Sequence, residues 1–128
     1  MDRMEHIRAL RANKEVHYNC CQSILVPFAK EMGMTGEQAY ALGAHFGSGM
    51  RHGSACGALS GALMVMGALG YDEKQAAALI RPFREAHGDT ACAVLLKASK
   101  ERGEEKKAHC DGLVYEMARA LEELLAQH

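Results

Sequence analysis

Apolar residues in this chain recur at three- and four-residue intervals, the repeat of one helix face. Leu113, Met117, Ala120, Leu121, Leu124 and Leu125 form such a stripe, and Ile24, Leu25 and Phe28 form a shorter one. Nowhere do apolar and polar residues alternate long enough to argue a strand. The punctuation agrees. Residues 2–13 read as a short charged helix. Asn19 is placed to cap a helix over 20–32, in which Pro27 marks a kink or a limit and Gly33 the end. Thr35 with Gln38, and Asp72 with Gln75, are capping-box pairs opening helices to about His45 and His87. Thr90 is placed to start a short helix to Lys100, Gly103 breaks the chain, and 104–127 close it. The expected fold is all-α, a single-domain bundle of about six helices.

Between Gly53 and Tyr71 no charge occurs. The strongly apolar part is about 15 residues, short of the ~20 that cross a bilayer. A buried central helix over 54–69 is expected instead. Gly53, Gly57 and Gly61 recur every fourth residue, a smooth stripe for close packing by a helix of the same chain or of a second subunit. Ahead of it, Phe46 to Gly53 reads as a flexible, glycine-rich turn.

Composition narrows the function. The chain has 128 residues, 48% hydrophobic and 24% charged, with net charge −1 and no Trp. That suits an ordinary globular domain. It leaves no footprint for nucleic acid or anionic lipid. The N-terminus has no apolar run behind a basic cap, so a cytoplasmic location is expected. Thiols stay reduced there, and five cysteines read as ligands or redox groups rather than structural disulfides.

Three of the five fall at expected helix starts. Cys56 opens the most apolar helix, Cys20 follows Asn19, and Cys92 comes two residues after Thr90. A helix N-terminus offers unpaired N–H groups and partial positive charge, which favour thiolate. Cys110 lies in the last helix beside His109 and Asp111. No Cys-x-x-Cys pair exists, so any shared site must be assembled by the fold. The competing account makes each cysteine a small buried hydrophobe, and Cys21, next to Cys20, is assigned to the core. A histidine precedes each candidate: His17, His52, His87 and His109. Arg51 and His52 sit in the loop entering the Cys56 helix, where a cation would stabilise a thiolate or an anionic cofactor. Met64 and Met66 read as core filling. Covalent haem and nucleotide fingerprints are missing.

Asn19-Cys20-x-Gln22-Ser23, then Cys56-Gly57-Ala58-x-x-Gly61-Ala62-Leu63-Met64, then Cys92 and Cys110, resemble the C_GCAxxG_C_C family of putative redox-active proteins. The resemblance runs over roughly residues 15–125. It implies a helical domain with a redox or metal role carried by Cys20, Cys56, Cys92 and Cys110. A similar four-cysteine domain occurs in split-Soret cytochromes with an associated iron–sulfur centre.

Three readings follow. The first is a [2Fe–2S] electron-transfer protein with all four cysteines as ligands. The second is a zinc site of four thiolates. The third is a metal-free thiol–disulfide protein with Cys56 as nucleophile and Cys20 or Cys92 resolving. In each, Cys20, Cys56 and Cys92 gather at one end of the bundle, Cys110 reaches them from the side, and Arg51 and His52 border the pocket. An electron-transfer or redox partner of unspecified identity is implied. A homodimer is the expected oligomer.

Overall fold

A computed structural model describes residues 2–127. Among them lie seven α-helices and one π-helical turn, rather than about six helices. The all-α class holds. The helices are α1 Arg3–Ala12, α2 Cys20–Leu25, α3 Gly36–Leu42, α4 Gly57–Ala68, α5 Glu73–His87, α6 Cys92–Glu101 and α7 Lys106–Ala126. The π-helical turn is Gly49–Gly53.

The local signals explain most helix ends. Asn19 with Gln22, Thr35 with Gln38, and Asp72 with Gln75 each form the reciprocal capping box, satisfying two N–H groups per helix start. Pro27 has no N–H to continue α2, which stops at Leu25 and gives way to turns through Gly33. Pro82 is accommodated inside α5, and Gly88 ends that helix at φ 84°.

Three expectations require correction. The apolar helix begins at Gly57 rather than at residue 54, so Cys56 is its N-cap and not part of its first turn. Thr90 does not cap α6. Ala91 occupies that position, and the Asp89 carboxylate accepts the Thr90 and Ala91 N–H groups at 2.7 and 2.9 Å. The 46–53 segment is no loose turn. Ser48, Gly49, Met50, Arg51 and Gly53 all have positive φ, and the Ser54 N–H closes the turn on the Gly49 carbonyl at 2.8 Å.

The core sits where α2 and α4 cross, covered by α7 and flanked by α1. Ile24, Leu25, Phe28, Ala58, Ala62, Val65, Val114 and Ala118 are fully enclosed there. Burial of side chains of this size stabilises by about 1.5–3 kcal/mol each for the larger ones. The close crossing depends on two glycines. A Cβ at Gly61 would lie 3.1 Å from the Ile24 Cβ, and one at Gly57 would lie 2.6 Å from the Phe46 carbonyl and 3.2 Å from the Cys20 Cβ. The glycine stripe therefore faces α2 of the same chain. Gly53 is not part of it; it lies before the helix and packs against Ala93. α4 is 12 residues long, and no helix among the described residues is long and apolar enough to cross a membrane.

Candidate functional site

Cys56 and Cys92 are fixed by backbone pairing. Ala55 and Ala91 form an isolated antiparallel bridge. Its two hydrogen bonds run from the Cys56 N–H to the Thr90 carbonyl, 2.8 Å, and from the Cys92 N–H to the Ser54 carbonyl, 2.6 Å. The segments leading into α4 and α6 are thus locked side by side. The left-handed 48–53 turn folds over them. Gly49 lies so close that an added Cβ would stand 2.5 Å from the Ser54 carbonyl and 2.6 Å from the Cys92 Cβ. At φ 64° and with no space, only glycine fits there.

Cys20 is set by the Asn19 capping box, while the Asn19 amide also donates to the Gly43 carbonyl at 3.0 Å. That second bond ties the start of α2 to the end of α3. Cys110 comes from the first turns of α7. Beside it Asp111 accepts from Arg11 Nε at 2.6 Å and from Lys107 Nζ at 3.0 Å. Arg11 also donates to the Tyr18 carbonyl at 3.0 Å. Its side chain is only 9% exposed. A buried guanidinium held by a carboxylate and a carbonyl is a fixed charge, not a mobile one.

Cys20, Cys56, Cys92 and Cys110 all line one cavity of about 180 Å³. Arg11, Lys106, His17 and His109 supply its polar wall, and Leu95, Leu96 and Leu113 its apolar wall. Cys21 is elsewhere: fully buried, with its sulfur 4.0 Å from the Met64 sulfur. Of the adjacent pair, Cys20 is the one that lines the cavity. Arg51 and His52 are exposed and do not border it. The left-handed turn carries both residues outward, while Ser48 at its start lines the cavity. The cations present are Arg11 and Lys106, which the sequence reading missed. Lys106 lies one helical turn before Cys110, a spacing that places both on one face. Arg11 belongs to α1, and no spacing pointed to it.

The thiols are not equivalent. Cys110 is brought down to about 7 by the neighbouring Cys20 thiol, reinforced by Arg11 and Lys106 against the cost of burial. The neighbouring Cys110, together with burial, pushes the Cys20 thiol up. At Cys56 burial pushes the thiol up and outweighs the Leu59 and Ala58 N–H groups that favour thiolate. Helix-start donors are therefore present at Cys56, as expected, but they are the smaller effect. Burial also raises Cys92, and takes Cys21 to about 12. Among the described residues, no three His, Cys, Asp or Glu side chains stand as a ready group for one metal ion.

Helices meeting around a cavity of four thiols and two cations define a cysteine-centred helical domain. The chain belongs to the C_GCAxxG_C_C family, described as "Putative redox-active protein (C_GCAxxG_C_C)", whose profile matches residues 18–124. All four cavity cysteines and the Cys56–Gly61 segment fall within that match. No curated protein and no solved structure gives a significant match. The geometry gives the motif a physical account. Cys56 supplies a thiol, Gly57 and Gly61 admit α2, and Ala58 fills a fully buried position.

Proposed function

We propose that this redox-active protein works as a dithiol–disulfide couple formed by Cys110 and Cys20. The supporting observation is that Cys20 and Cys110 line one cavity beside the buried Arg11, with the Cys110 thiol shifted down and the Cys20 thiol shifted up. A thiolate is the nucleophile in disulfide exchange, and a thiol with pKa near ambient pH is well matched to it. The Cys110 thiolate attacks one sulfur of a disulfide substrate, forming a mixed disulfide and expelling a thiolate that takes a proton from solvent. Cys20 then loses its proton, and its sulfur attacks that of Cys110. The second substrate thiolate leaves and is protonated. Two electrons pass from the protein to the substrate. This reading moves the nucleophile from Cys56 to Cys110. Single-cysteine variants test it. Cys110→Ser should abolish the fast reaction with a disulfide, and Cys20→Ser should trap the mixed disulfide on Cys110, both read by mass spectrometry. A Cys110→Ser protein that reacts as fast as the parent would refute it.

A second reading keeps the [2Fe–2S] cluster and electron transfer. Its support is that Cys56 and Cys92, which the dithiol couple leaves unused, line the same cavity. A cavity of about 180 Å³ lined by four cysteines has room for a multi-atom group. Cys20, Cys56, Cys92 and Cys110 would hold the cluster, and Arg11 and Lys106 would offset its negative charge. When bound, such a group supplies one-electron chemistry. Anaerobic purification with iron and sulfide analysis decides it. Colourless, iron-free protein after anaerobic reconstitution excludes the cluster.

A further inference from the structure

A groove of about 430 Å³ lies against the cysteine cavity, between the end of α1, the turn before α2 and the start of α7. Arg11, His17, Lys106 and Cys110 border both spaces, so the groove and the cavity adjoin along these residues. Asn13, Tyr18 and Lys107 complete the polar part of its wall, and among the described residues no carboxylate lines it. Asp111, the nearest anion in the network, is shared by Arg11 and Lys107. Lys106 has no carboxylate partner among the described residues. Three cations therefore face one carboxylate. Arg11 is held in place by Asp111 and the Tyr18 carbonyl, so part of this charge is preorganised.

Concave sites with a few convergent charges suit small molecules, and a groove of this size falls in their usual range of ~300–1,000 Å³. We infer that the groove is the entry site for a small disulfide bearing carboxylates, and that Arg11, Lys106 and Lys107 select it by charge and bring its sulfur to Cys110. The inference rests on the dithiol reading for its chemistry, but its selectivity is separately measurable. The reaction is the exchange given above: one substrate disulfide bond breaks, two substrate thiols leave, and the Cys110–Cys20 bond forms.

The test uses the full, reduced, metal-free chain. It measures mixed-disulfide formation at Cys110 with three probes: oxidised glutathione (anionic), hydroxyethyl disulfide (neutral) and cystamine (cationic). Each rate is divided by that probe's rate on a short cysteine peptide. At low salt the anionic probe should lead the cationic one by on the order of tenfold or more. The preference should shrink as salt is raised. Lys106→Glu, at an exposed side chain, should reduce or reverse it, while the salt series needs no variant. Equal normalised rates for the anionic and cationic probes at low salt would overturn the assignment. So would a preference that neither salt nor Lys106→Glu alters. A charge-selective mixed disulfide at Cys110 that never passes to Cys20 would support the groove and overturn the dithiol cycle.

Discussion

Cys110 and Cys56 show how far a thiol's neighbourhood can override its position on a helix. The sequence pointed to Cys56, because a helix start supplies N–H donors. Those donors are there, from Ala58 and Leu59, yet burial prevails. The uncharged apolar run after Cys56 did point to a buried helix, but not to burial of the thiol deep enough to outweigh the helix-start donors. Lys106 was legible one turn before Cys110. The Arg11–Asp111 pair joins residues from opposite ends of the chain and was not. One consequence is measurable. Alkylation at Cys110 follows its thiolate fraction, so its rate should rise through about pH 7 and fall roughly tenfold per unit below that. Cys20→Ala removes the thiol whose interaction most lowers Cys110 and should shift the profile to higher pH. Iodoacetamide labelling with peptide mapping checks both. A profile centred near 8.5, the ordinary thiol value, or one unmoved by Cys20→Ala, would contradict the assignment.

At the scale of helices, local chemistry and long-range pairing divide the account. The Thr35–Gln38 and Asp72–Gln75 capping boxes and the Asn19 cap were legible because donor and acceptor lie three residues apart; the Gln22 half of the Asn19 box was not read. Pro27 was legible as a limit of α2 because a missing N–H is a local fact. The start of α6 was not, because Asp89 and the Ala55–Ala91 bridge take over the turn that Thr90 alone appeared to govern. The bridge joins segments far apart in the chain, and local patterning carries no trace of it. The outward swing of Arg51 and His52 follows from a run of positive φ angles that their own side chains do not favour. The glycines of α4 give a contrasting pair of expectations. Gly57→Ala should destabilise by about 1–3 kcal/mol, since its Cβ meets backbone at 2.6 Å. Gly67→Ala should stabilise by up to ~1 kcal/mol, since that exposed helical position has nothing within 4 Å. Urea unfolding of both variants checks this. Equal effects would contradict the close packing of the start of α4 against the Phe46 carbonyl and α2.

Across the whole molecule, the fold gathers thiols from four separate segments that share no spacing rule. The core is ordinary; α2 and α4 cross tightly, and α7 covers them. The crossing positions Cys20, the bridge positions Cys56 and Cys92, and α7 brings Cys110 with Arg11 behind it. A bond between Cys20 and Cys110 would close a loop spanning most of the chain. Constraining so long a loop stabilises by up to about 4 kcal/mol, less any strain. The oxidised protein should therefore unfold at higher denaturant than the reduced one. The most direct measurement is peptide mapping after the reduced, metal-free protein is oxidised by a small disulfide. The account predicts one intramolecular bond, between Cys20 and Cys110, with Cys21 remaining a free thiol. A bond from Cys56 to Cys92, or a protein whose Cys20 and Cys110 both stay free, would contradict it.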